Sequence, residues 1–145
     1  MAKTTPIKAI YTSGSASALG EFVTGDTLDG GLVEGPFLKQ QYAATATLTD
    51  GATISWDVST SQVAKVTLGG NRTIAAPTNL VDGAFYALAV YQDATGSRTL
   101  GWNSVFKFVT GIAPTLTTTA NGKDFFTFKS DGTSLYEQGR AQAVA

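Results

Sequence analysis

The sequence predicts an all-β fold, a sandwich or barrel, for most of its 145 residues. Short runs rich in β-branched and aromatic residues alternate with turn dipeptides, at a spacing of about ten residues typical of such folds. The turn dipeptides are Asp50-Gly51, Gly69-Gly70, Asp82-Gly83, Asn121-Gly122 and Asp131-Gly132. Each contains a residue that tolerates positive φ, as tight hairpin turns require. The pattern therefore predicts an antiparallel β module over residues 43–139.

Residues 1–42 differ from the rest of the chain in residue pattern, with isolated apolar side chains and frequent glycines. The best helix candidate is SASALGEF, where Ser15 or Ser17 could cap a helical turn, but Gly20 weakens it. Such a segment cannot bury enough apolar surface on itself to offset the entropy of ordering. It is therefore predicted to be an extended arm that becomes ordered against a partner, and residues 140–145 are predicted to be a short tail.

The predicted strands are ATISWDV, QVAKVTL, RTIAA, AFYALAVYQ, SRTLGW, VFKFV, TLTTT, DFFTFKS and SLYEQG. In AFYALAVYQ, alternation places Tyr86, Leu88 and Val90 on one face, and the opposite face is also apolar. This pattern is typical of a central strand covered on both sides, by an opposing sheet or by a partner subunit. Together with DFFTFKS it predicts self-association, with an interface drawn from Phe85, Tyr91, Phe125, Phe126 and Phe128.

Composition excludes most enzyme classes. The chain has no histidine and no cysteine, which removes the commonest general base, thiolate nucleophiles and zinc-thiolate sites. The carboxylates of the β region fall in predicted turns or at strand ends, where Asp commonly stabilises the backbone locally. We therefore expect no enzyme activity, no catalytic residue, no cofactor and no metal.

The charge and hydropathy of the chain limit the classes of partner that it can be expected to bind. Charged residues make up 14% of the chain and the formal net charge is -1, so no basic face for nucleic acid is expected. No apolar run reaches the roughly 18 residues needed to span a bilayer, and no signal peptide is recognisable. The sequence thus predicts synthesis in a cytoplasm, without a nucleic acid or membrane partner.

Three aromatic residues allow carbohydrate binding as an alternative. Trp56, Trp102 and Tyr136 could form a face on which sugar rings stack, because aromatic rings combine apolar faces with polar tips. Packing in a core or an interface is the commoner use of such residues.

The chain resembles structural proteins of tailed bacteriophage virions. The resemblance rests on two stretches, IKAIYTSGSASALGEFVTGDTLDG and the region from VTLGGNRTIAAPTNLVDG through FKSDGTSLYEQG. It implies a jelly-roll-like sandwich, assembly as a homotrimer, no catalytic role for any residue, and location in the virion after synthesis in the cytoplasm of the host bacterium.

Length and the apparent lack of repeats, coiled-coil heptads and β-helix rungs favour a small accessory role, a capsid decoration or cement protein or a short appendage. The arm would contact the major capsid protein or tail or connector proteins through Ile7, Ile10, Tyr11, Leu19 and Phe22. The alternative is a receptor- or carbohydrate-binding module of a tail fibre or tail tip, with a host surface glycan as its partner.

Overall fold

The computed structural model describes residues 7–12, 15–21 and 44–144. The chain divides into two compact units, Met1–Gln40 and Gln41–Ala145. In the first unit, β1 (Ile7–Thr12) pairs with β2 (Ser15–Glu21) as an antiparallel hairpin. The helical turn considered for SASALGEF does not form over Ser15–Glu21, because these residues pair with β1 instead. The domain boundary after residue 42 stays a prediction.

The second unit contains nine strands and one 3-10 turn, Val109–Gly111, and no α-helix occurs among the described residues. The all-β prediction is therefore confirmed. The strands are β3 (Thr45–Thr47), β4 (Thr53–Ile54), β5 (Val63–Leu68), β6 (Arg72–Ile74), β7 (Asp82–Gln92), β8 (Leu100–Trp102), β9 (Phe106–Lys107), β10 (Lys123–Asp131) and β11 (Leu135–Val144). Since β11 continues through Val144, residues 140–144 are part of a strand rather than a separate tail.

The strands form a mixed six-stranded sheet in the order β3-β5-β7-β10-β11-β9 and a three-stranded sheet in the order β4-β6-β8. Only the β7–β10 and β10–β11 pairs of the second unit are antiparallel. The β3–β5, β5–β7 and β9–β11 pairs are parallel, as are both pairs of the small sheet. The prediction of an antiparallel sandwich was therefore wrong in strand direction, and these pairings do not form a jelly roll, which is antiparallel.

The parallel pairing follows from the path of the chain. Between β3 and β5 the chain passes through β4 of the other sheet, and between β5 and β7 it passes through β6. It therefore returns to the same sheet in the same direction each time. Thr53 pairs with Thr73, and Thr73 pairs with Gly101, so successive coils lie in register. Stacked coils of this kind are the rungs of a short parallel β-solenoid, and the expectation of a chain without rungs was wrong.

Two polar contacts link the first and second coils. Arg72 donates two hydrogen bonds to the Asp50 carboxylate, from Nε to Oδ1 at 2.8 Å and from Nη2 to Oδ2 at 2.7 Å. This hydrogen-bonded pair holds the pKa of Asp50 below its usual value. At another corner, Asn79 Nδ2 donates to Asp57 Oδ1 at 2.8 Å. Both contacts join residues about one coil apart, so they favour the observed register.

The hydrophobic core is built from both sheets. The small sheet contributes Ile54, Ile74 and Leu100, all buried. The large sheet contributes the inward faces of β5, β7, β9, β10 and β11, and Trp56, Val58 and Leu116 add to the cluster from the connections. The predicted alternation of β7 is confirmed, and the face that carries Tyr86, Leu88 and Val90 is the one buried in the core. A solenoid closed by a β-hairpin thus encloses one continuous core.

Candidate functional site

The solvent side of the six-stranded sheet carries an apolar surface, which we call the outer face: Val63, Lys65, Phe85, Ala87, Ala89, Tyr91, Phe125 and Thr127. Its centre is a shallow cavity of about 190 Å³ between β5, β7 and β10. The rings of Tyr91 and Phe125 meet edge to face with centroids 6.2 Å apart. Phe85 and Phe125 are 61% and 37% exposed, which is unusual for phenylalanine. An apolar surface of this kind is typical of an interface.

The structure divides the five predicted interface residues into two groups. Phe85, Tyr91 and Phe125 lie on the outer face, whereas Phe126 and Phe128 are 1% and 0% exposed. The assignment of Phe126 and Phe128 to an interface was therefore wrong. Side chains of β10 alternate between its two sides, so Phe126 and Phe128 point into the core.

The three predicted sugar-stacking residues do not share one face. Trp56 is 1% exposed, and its Nε1 donates to Ser61 O at 3.2 Å, so it is a core residue and its assignment to a sugar site was wrong. Tyr136 is exposed, and its hydroxyl donates to Asp131 Oδ2 at 2.9 Å. The same hydrogen bond raises the pKa of Tyr136. Trp102 is partly exposed and lies in a different environment.

Trp102 is the centre of an aromatic cluster. Its ring meets those of Phe106, Phe108 and Phe126 nearly edge to face, with centroids 5.1, 5.0 and 5.1 Å away. Its Nε1 is buried and has no hydrogen-bond partner among the described residues. A buried donor without a partner costs about 1–3 kcal/mol, so this N–H is an unusual feature.

A cavity of about 380 Å³, which we call the Trp102 pocket, opens beside this cluster. Its lining combines aromatic rings with polar and small residues: Trp102, Asn103, Ser104, Phe106, Lys107, Phe108, Gly111 and Ala113. Asn103 Oδ1 accepts a hydrogen bond from the Val105 N–H at 3.0 Å, which fixes the orientation of the amide. The amide NH₂ points away from this bond and can donate to a ligand. The sequence had singled out only Trp102 of this lining, since the rest come together through β8, β9 and the loop beyond them.

The two buried carboxylates are occupied by structural contacts. Asp124 is 2% exposed and accepts hydrogen bonds from Thr117 N, Thr117 Oγ1 and Ala143 N at 2.7, 2.6 and 3.0 Å. Glu137 Oε2 accepts from Val109 N at 3.1 Å, and Oε1 lies 3.0 Å from Arg140 Nε in an ion pair whose geometry is not that of a hydrogen bond. These contacts hold β11 and the segment before β10 in place.

Among the residues that the structure describes, no group of three or more Asp or Glu side chains could hold a metal ion. No helix in these residues is long and apolar enough to cross a membrane.

The five proposed anchoring residues belong to the N-terminal unit. Ile7, Ile10 and Tyr11 lie on β1, and Leu19 lies on β2. Phe22 lies outside the described residues. Their role in attachment stays a prediction.

Comparison with known proteins covers most of the second unit. Residues 44–134 match a family model described as "Putative phage tail fibre C-terminal domain". The match extends from the strand before the first solenoid corner to the turn between β10 and β11 and includes both candidate surfaces. No curated protein matches the chain.

Proposed function

The chain belongs to the family of phage tail fibre C-terminal domains, and from this membership we propose that it is a tail fibre module that meets the bacterial surface. It is a structural protein of the phage virion. The observation that carries the proposal is the family match across residues 44–134. This match favours the tail fibre over the capsid decoration or cement role that chain length had suggested. Parallel solenoid coils, a repeated architecture found in elongated proteins, support the same assignment.

In this proposal the N-terminal unit attaches the module to the particle. Met1–Gln40 forms a compact unit of its own, which supports a separate role for it. Its partner would be a tail or connector protein of the virion, contacted through the anchoring residues of β1 and β2. The second unit would then be free to meet the host.

Deleting residues 1–42 should abolish incorporation into particles while leaving the β module folded and able to bind host cells. Incorporation is measured by immunoblotting of purified virions produced from a phage that carries the deletion. Folding and host binding are measured on the purified fragment, by thermal unfolding and by competition with phage adsorption. Incorporation of the truncated protein at wild-type levels would contradict the anchor. Failure of both the full-length protein and the fragment to compete with adsorption would contradict contact with the host.

We further propose that the module forms a homotrimer through the outer face. Exposed Phe85 and Phe125 flank the small side chains of Ala87 and Ala89, so an aromatic ring from a second copy could occupy the shallow cavity. Closed symmetry is the usual way in which such a surface is buried.

The outer face can be tested by a charge substitution. Phe125→Asp should convert the trimer to a monomer, because the interface would then bury an unpaired carboxylate. The matched control is Ile112→Asp, which replaces an apolar residue 71% exposed in the loop after the 3-10 turn. Sedimentation at about 10 μM, well above the dissociation constant of a stable oligomer, distinguishes the two states. A monomeric wild-type protein at that concentration, or a trimeric Phe125→Asp variant, would refute this interface.

A further inference from the structure

We propose that the Trp102 pocket binds an acidic saccharide, a sugar unit that carries a carboxylate. The inference rests on the proposed function, since a module that meets the bacterial surface encounters glycans there.

The shape and the rings of the pocket suit a sugar. A cavity of about 380 Å³ lies at the lower end of the range for small-ligand sites. Its walls include the partly exposed Trp102 and Phe108. The C–H face of a pyranose packs favourably against an aromatic ring, which combines apolar area with low loss of conformational entropy. Contacts with Phe106 and Phe126 hold the Trp102 ring in place, so the ring would lose little conformational entropy when a ligand binds.

The walls also contain polar groups that can bind sugar hydroxyls. The hydrogen bond from Val105 N to the amide oxygen fixes the Asn103 side chain and leaves its NH₂ group able to donate to a ligand. Ser104 is exposed and adds a hydroxyl that can donate or accept. A saccharide could therefore form hydrogen bonds to Asn103 and Ser104 while it packs on the partly exposed ring of Trp102.

The charge of the pocket distinguishes an acidic sugar from a neutral one. Lys107 lines the pocket, and no carboxylate residue does. Among the described residues its ammonium group forms no salt bridge, and the nearby Glu137 is already paired with Arg140. A charge-assisted hydrogen bond from an ammonium group to a carboxylate is roughly twice as strong as a neutral one. The ligand that fits both the rings and the charge is a uronic acid or a comparable carboxylated sugar.

The loop that borders the pocket contains one strained residue. Thr110 adopts φ 64°, next to Gly111, which lines the pocket. Threonine rarely occupies the left-handed region because it is β-branched, and such strain is often found at functional sites.

The two tryptophans allow a direct test by NMR. The chain contains two, so a ¹⁵N-labelled sample gives two indole N–H signals, and Trp102→Phe identifies which is which. Tetragalacturonate and a hyaluronan tetrasaccharide are titrated as acidic probes, and maltotetraose as the neutral one. We expect an acidic probe to shift the Trp102 signal. The Trp56 signal should stay in place because that indole is buried and bonded to Ser61 O.

A charge-neutral variant then tests the role of the lysine. Lys107→Gln should weaken binding of the acidic probe about tenfold, as expected for one charge-assisted hydrogen bond, and leave any weak maltotetraose binding unchanged. The matched control is Lys129→Gln, which removes an exposed lysine on β10 outside the pocket lining. The proposal is overturned if neither acidic probe shifts the Trp102 signal. Equal affinity of Lys107→Gln and wild type would also overturn it.

The saccharide site and the proposed contact with the host can be tested independently of each other. Competition with phage adsorption without a Trp102 shift would refute the saccharide site and support contact with the host. A Trp102 shift without competition would support the site and refute the host contact.

Discussion

Replacing Phe126 by Ala should lower the free energy of unfolding by about 3–5 kcal/mol, the usual cost of removing a large buried aromatic side chain. Phe126 is 1% exposed and packs edge to face on Trp102 with ring centroids 5.1 Å apart. Its removal would leave a cavity beside Trp102, where the aromatic cluster meets the core. Since small domains are stable by about 5–15 kcal/mol, we expect a large fall in the unfolding midpoint. Equilibrium urea denaturation measures it.

The adjacent residue supplies the matched control. Phe125 is the same residue type on the same strand, but its side chain lies on the outer face and is 37% exposed. Phe125→Ala should cost clearly less than Phe126→Ala when both are measured on the same oligomeric state. Equal losses for the two variants would contradict the assigned faces of β10.

Replacing Asp124 by Ala should destabilise the protein by roughly 3 kcal/mol or more, the second large effect that we expect. The carboxylate is 2% exposed and accepts three hydrogen bonds, from Thr117 N, Thr117 Oγ1 and Ala143 N. Removing it leaves the partly buried N–H and hydroxyl of Thr117 without this acceptor, and each such loss costs about 1–3 kcal/mol. The Ala143 N–H keeps its hydrogen bond to Thr117 Oγ1 at 2.9 Å. The C-terminal end of β11 should also loosen, which hydrogen exchange at the Ala143 amide would detect.

Two further variants test the cause of this loss. Asp124→Asn keeps the shape and one acceptor oxygen, so it should restore part of the stability lost in the alanine variant. Asp82→Ala removes an exposed carboxylate on β7 and should change stability by about 0.5 kcal/mol or less. If Asp124→Ala were as mild as Asp82→Ala, the network would have no structural role.

The local chemistry of the chain was largely predictable from sequence. Alternation in AFYALAVYQ correctly grouped Tyr86, Leu88 and Val90 on one face of β7, because successive side chains of a strand point to opposite sides. Several turn positions also follow from residue type. Gly83, Asn121 and Gly132 adopt positive φ, as the Asp-Gly and Asn-Gly pairs had indicated. These features depend on neighbouring residues alone.

Strand direction could not be read from the same turn residues. Asp131-Gly132 joins the antiparallel strands β10 and β11, as a hairpin prediction requires. Asp50-Gly51 and Gly69-Gly70 instead lie at corners where the chain moves from one sheet to the other. A corner and a hairpin use similar residues, so the dipeptides predicted turns without deciding between them.

One short similarity in the sequence reflects the stacking of two coils. Thr53 and Ile54 recur 20 residues later as Thr73 and Ile74, and these residues pair in parallel. The offset between paired residues is not constant, because Thr47 pairs with Lys65, 18 residues on, and Thr73 pairs with Gly101, 28 residues on. The chain therefore lacks the fixed period by which stacked coils are recognised in a sequence.

The sequence by itself determined an all-β chain, its main turns, the alternation of its strands and the absence of histidine and cysteine chemistry. Only the tertiary structure decided which apolar face of each strand is buried in the core and which surfaces remain exposed to solvent. Phe125 and Phe126 are identical neighbours, yet one lies on the outer face and the other in the core. Likewise Trp56 is enclosed while Trp102 lines a pocket. The reason is physical: burial depends on strands distant in sequence that pack on a side chain, and these contacts exist only after the coils have stacked.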